Sequence, residues 1–197
     1  MTDPGRPPAD SSVHLHDPGP MRAMAHPTRL RLIGILRMDG PATVGMLAEQ
    51  TGESAGSVSY HVSTLAKHGF VEEAPELARD RRERWWRAAH EMTSWDTVEF
   101  LDDPARHAAS EALRRTVLES YHRELLAVLD AEAQLEPEWI APSDSSDGAA
   151  HLTLEEFREL SADLAAVRDK WWARGREPAE GTRLVRWMTH VFPRSGA

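Results

Sequence analysis

Between Ser54 and Lys67 the chain carries hydrogen-bonding side chains at a spacing suited to a polar partner. Ser57, Tyr60, His61, Thr64 and Lys67 fall opposite Val58, Val62 and Leu65 if the stretch is helical. Hydroxyl and imidazole groups both donate and accept hydrogen bonds, and an ammonium donates to phosphate. This is the chemistry of reading base edges and backbone along a duplex, rather than of breaking bonds. More cations follow in a charged segment, where Arg79, Arg81, Arg82 and Arg84 are placed to reach phosphate or a narrow minor groove.

Other chemistries find no residues to carry them. Cysteine is absent, which excludes disulfides, thiolate metal sites and thiol redox sensing. There is no Gly-rich phosphate loop and no activated Ser or Cys arrangement, so an enzyme is not expected. No cofactor is expected. His14 and His16 would hold a metal only with further ligands that the sequence does not identify, and no metal site is assigned.

The polar stretch needs elements to hold it. Ser54 is a good N-cap, and Gly69 supplies a left-handed residue that stops the helix before Phe70 and Val71. A shorter helix precedes it, with Thr43 capping Val44 to Gln50 and Gly52 in the turn between them. Two helices joined by such a turn form a helix-turn-helix whose second helix enters a DNA major groove. Upstream, Pro27 suits a first helical position, and Leu30, Ile33 and Leu36 mark an inward stripe ending near Asp39 and Gly40. Arg29, Arg31 and Arg37 lie off that stripe, either on phosphate or in solvent. Downstream, Phe70 to Ala74 and Glu83 to Ala89 read as strands around a charged loop, with Trp85 and Trp86 on opposite faces. That hairpin is a wing, spanning 75–84 at its tip, with one tryptophan expected on the core.

A net charge of −9 looks unsuited to a nucleic-acid partner until it is divided along the chain. Residues 1–20 hold one basic and three acidic residues, 21–90 ten against eight, and 91–197 twelve against twenty-one. Phosphate contacts act within a Debye length of about 8 Å, so the net-positive segment can meet DNA although the rest is acidic.

The run AHPTRLRLIGIL, then LAEQTG, then SVSYHVSTLAKHGFVEE, then a basic hairpin ending RWWRAA, resembles the winged helix-turn-helix of the ArsR family of transcriptional regulators. The resemblance covers residues 21–90. It implies a homodimer, a recognition helix at 54–68 and repression of a promoter, with Ser57, Ser59, Tyr60 and His61 meeting base edges and phosphates; for His61 a partly buried ring hydrogen-bonded within the helix pair is the other reading. Metal-sensing members carry a cysteine pair, which this chain lacks. Others bind zinc through an Asp, two His and a Glu of a C-terminal helix; Asp103, His107, His122 and Glu124 occur here, but not at that spacing.

Residues 1–20, rich in proline, form a disordered tail. A mixed segment over 91–103 leads to a long helix from Pro104 to about Ala133, whose stripe of Leu113, Val117, Tyr121, Leu125, Val128 and Leu129 suits a dimer interface; packing within one chain is the other reading. Residues 91–135 thus make a dimerisation region and 136–151 a flexible linker. Within 152–197, Thr153 and Glu156 form a capping box for a last helix, and Arg183 to Phe192 reads as a strand. Trp139, Trp171, Trp172 and Trp187 either line a pocket for an apolar small-molecule effector or form a small core. No apolar run is long enough to span a bilayer, and a soluble, cytoplasmic protein is expected. The whole is a mainly α chain with a small β wing, a winged helix-turn-helix followed by a helical extension. The function expected is sequence-specific binding of double-stranded DNA; a winged module that binds protein instead, or a regulator gated by a hydrophobic small-molecule effector in the C-terminal region, is the alternative.

Overall fold

A strand, β1 (Ser12–His14), opens the computed structural model, which describes residues 12–80, 83–175 and 178–194. Two compact units make up the chain, the first ending at Leu126 and the second running from Ala127.

The part of the expected tail before Ser12 lies outside the described residues, and the part after it is folded. Strand β1 is followed by helix α1 (Pro18–Met24), and Leu15 and Met21 are buried in the core. The proline-rich composition misleads here because Pro18 and Pro20 occupy a first helical turn, where a missing N–H costs nothing.

Helix α2 (Pro27–Met38) begins at its proline as expected and buries Leu32, Ile33 and Leu36. A two-residue strand, β2 (Ala42–Thr43), leads into α3 (Val44–Thr51), and Thr43 Oγ1 accepts from the Met46 N–H at 3.3 Å. Gly52 ends α3 at φ 73°, a left-handed conformation that costs a residue with a Cβ about 1–2 kcal/mol. Helix α4 (Ala55–Lys67) starts at Ser54, whose Oγ accepts from the Ser57 N–H, and Gly69 follows it at φ 73°.

The hairpin that follows pairs β3 (Val71–Glu73) with β4 (Trp85–Ala88), and β2 adds to the other side of β4, giving an antiparallel sheet of order β2-β4-β3. Trp86, opposite Ala42 and Glu73, enters the core; Trp85 is half-buried. Strand β5 (Met92–Ser94), not foreseen in the mixed segment, runs parallel to β1 with His14 opposite Ser94. After a 3-10 turn at Val98–Phe100, α5 (Pro104–Ala131) buries Ala109, Ser110 and Leu113. Met21, Leu32, Leu47, Val58, Val62, Leu65 and Leu113 of this unit are all fully buried, together with Phe100. They belong to one hydrophobic core cluster on which α2, α3 and α4 are oriented.

In the second unit, α6 (Pro137–Ile140) interrupts the expected linker, and α7 (Leu154–Arg174) carries the capping box in full, with Thr153 N–H on Glu156 Oε2 at 2.7 Å. No described residue from Ala127 onward is buried. Residues 183–192 are not a strand, because no partner strand is paired with them. Their alternation supplied half of a strand's requirements and the hydrogen-bonding neighbour supplies the other half.

Candidate nucleic-acid interface

Burial along α4 divides its surface cleanly. Val58, His61, Val62 and Leu65 are buried, at the i, i+3, i+4, i+7 spacing of one helix face. Gly56, Ser59, Tyr60, Ser63 and Lys67 are exposed and make the complementary stripe. Tyr60 is 65% exposed, with its ring edge-on to that of His61 at 5.3 Å. The stripe therefore offers two hydroxyls, a phenol and an ammonium in order along the axis, with glycine near the start leaving room for close approach.

His61 is a correction. Of its two expected placements, outward on the DNA-facing side or partly buried, the structure takes the second: at 8% exposure it is buried and its ring lies 4.5 Å from that of His26. Position decides this, since residue 61 completes the turn between Val58 and Leu65. Burial pushes its pKa down, Arg29 pushes it further, and Glu53 opposes them. Ser63, on the outward stripe, was missed; it is the residue four after Ser59, and completing the inward face would have revealed it.

The other α4 positions are partly engaged. Ser54 is exposed but spends its oxygen on the cap. Ser57 is half-buried and its hydroxyl donates to Glu53 Oε2 at 3.1 Å. Thr64 Oγ1 donates to the Tyr60 carbonyl at 2.9 Å, leaving its lone pairs to accept. Lys67 stands in the last turn, where the helix dipole favours a cation.

Of the wing cations, Arg81 and Arg82 lie outside the described residues. Arg79 is exposed, and its backbone N–H is held by Glu83 Oε2 at 2.9 Å. Arg84 pairs with Glu73 and sits 5.8 Å from the Trp86 ring. Arg87 bonds Glu72 at 2.7 Å and Glu76 at 2.5 Å. Both guanidiniums would have to exchange a carboxylate for a phosphate.

The arginines of α2 serve the fold, which neither reading of them anticipated. Arg31 donates to the carbonyls of Gln50 and Thr51, both at 2.8 Å, closing the C-terminal end of α3. Arg29 donates to the Ala23 carbonyl. Arg37 bonds the His90 carbonyl at 2.9 Å and Thr93 Oγ1 at 2.7 Å, and burial pushes its pKa down to about 10. It stays charged at neutral pH and ties α2 to β5.

The four residues of the zinc-binding comparison do not assemble. Asp103 instead caps α5, its Oδ1 accepting from the N–H groups of Ala105 and Arg106 at 2.9 and 3.1 Å. In the second unit the tryptophan faces are met by cations. Arg183 lies 5.1 Å from the Trp139 ring, and Lys170 and Arg174 lie 5.3 and 5.4 Å from that of Trp171. Trp171 and Trp187 are exposed and Trp172 is half-buried, so the four tryptophans form no buried core.

A helix-turn-helix with a three-stranded antiparallel wing and a solvent-facing second helix is the architecture of a DNA-binding regulator. A family model described as a helix-turn-helix domain matches residues 24–74, which run from the end of α1 to the end of β3. No curated protein matches the chain. Among the described residues no helix is long and apolar enough to cross a membrane.

Proposed function

We propose that this protein is a homodimeric, sequence-specific transcriptional repressor of the ArsR type, acting in the cytoplasm and not an enzyme. The carrying observation is the exposed stripe Ser59, Tyr60, Ser63 and Lys67 on a helix whose opposite face is wholly buried. Such a helix is rigidly presented and has no packing role left for its outer face. Two copies enter successive major grooves of a pseudo-palindromic site about one helical turn apart, while the wings lie on the flanking backbone.

The dimer rests on α5. Leu118, Leu125, Leu126 and Leu129 are 52%, 55%, 48% and 64% exposed along one continuous helix. A run of leucines in water is what a second copy would cover.

Selection of bound fragments from randomised duplex DNA, followed by titration of the selected site at two salt concentrations, tests this reading. An inverted repeat with steep salt dependence is the expected result; salt-insensitive or absent binding would overturn it. Pairing of Arg84 and Arg87 with Glu72, Glu73 and Glu76 favours one other reading, a winged module that binds protein. Absence of DNA binding would select it.

A further inference from the structure

His14 and His16 are two residues apart in extended chain, with Leu15 between them pointing into the core at 3% exposure, so both imidazoles face outward. Alone they make no site. The fold adds a third donor from 83 residues further on, for Glu99 Oε2 lies 3.1 Å from His16 Nδ1. One donor atom from each of the three residues lies within 4.8 Å of the others, and the two imidazole rings are 4.5 Å apart.

The backbone beneath these donors is fixed. His14 pairs with Ser94 in the β1–β5 ladder, and the Leu15 N–H donates to the Ser94 carbonyl at 2.8 Å. Glu99 precedes Phe100, which is fully buried. The side chains themselves are open to solvent, His16 being 63% and Glu99 46% exposed.

The dimensions of the cluster and its outer contact both accommodate a metal. Ligand atoms about 2.0–2.1 Å from a tetrahedral zinc are separated by about 3.3 Å, close to the spacing His16 and Glu99 already hold. His14 Nδ1 is also bonded to Ser94 Oγ at 3.0 Å, which leaves Nε2 as the free donor. A metal-bound histidine typically anchors its other ring nitrogen in this way.

We propose that His14, His16 and Glu99 bind one divalent transition-metal ion of the zinc class, with water completing the coordination. Two imidazoles and one carboxylate suit such an ion better than magnesium or calcium, which favour oxygen donors. The bound ion joins the N-terminal strand to the turn that leads into α5.

The full chain, stripped with chelator, is titrated with Zn²⁺ by equilibrium dialysis and with Co²⁺ by visible absorption. One ion per chain is expected, with Co²⁺ bands of a four- or five-coordinate site. Affinity should fall at least tenfold in His16→Ala and in Glu99→Gln, and by about 10–100-fold in Ser94→Ala, which removes only the support for His14. His122→Ala, which alters a histidine elsewhere, should bind as the parent does. Both primary substitutions are at exposed side chains, and melting curves without metal check that the variants fold. Failure of the parent to bind, or unchanged affinity in both His16→Ala and Glu99→Gln, would overturn the proposal.

Discussion

The rings of His26 and His61 lie 4.5 Å apart and tilted by 39°, joining the first residue before α2 to the buried side of α4. His26 Nδ1 accepts the Thr28 N–H at 3.2 Å, a cap that only the neutral ring can make at that nitrogen. Burial pushes both pKa values below 6.5; Arg29 lowers both further, the neighbouring His61 lowers His26 as well, and Glu53 acts against the shift. Protonation of both rings would set two cations 4.5 Å apart beside Arg29 and break the cap.

The sign of the pH dependence follows. A histidine with a lowered pKa in the fold binds fewer protons there than in the unfolded chain, so its contribution is complete above pH 6.5 and is lost as pH falls through the folded value. Melting temperature should therefore decline between pH 7 and pH 5, and His61→Leu should flatten that slope.

Core and outer face of α4 should respond differently. Leu65→Ala removes a fully buried side chain and should cost about 2–5 kcal/mol by urea unfolding. Ser63→Ala should leave stability within about 0.5 kcal/mol, since it lies on the exposed side.

On DNA, Tyr60→Ala and Ser63→Ala should change the preferred sequence by about 1–3 kcal/mol per lost base contact. Lys67→Ala and Arg79→Ala should instead weaken all sequences alike and reduce the salt slope by about 1 each. Competition titrations against the selected site and a scrambled one separate the two patterns.

Leu118→Glu with Leu125→Glu should convert a dimer to a monomer without lowering helix content, because both side chains are exposed in the single chain. Sedimentation velocity measures the first and circular dichroism the second.

The helix-turn-helix was legible because its signals are local. Thr43, Gly52, Ser54 and Gly69 cap or close elements within three or four residues of themselves, and each does so in the structure. His61 is ambiguous in sequence because its polarity suits the outer face while i+3 from Val58 puts it inside, and position prevails. The folded stretch at 12–20 and strand β5 were hidden for a different reason. Each is defined by pairing with the other, and neither Ser12–His14 nor Met92–Ser94 carries a pattern strong enough alone. Glu99 became a companion of His16 through the same long-range pairing. Residues 183–192 show the converse, an alternating pattern with no partner strand among the described residues.

The parallel pairing of β1 with β5 also sets an order of events during synthesis. The α3–α4 pair and the β3–β4 hairpin are built from neighbours in sequence and can form as soon as they leave the ribosome. Strand β1, made first, has nothing to pair with until Ser94 has emerged, 80 residues after His14. The nascent chain thus completes its helix-turn-helix before β1 is secured, and a chain cut short before β5 would hold that helix-turn-helix with β1 unpaired.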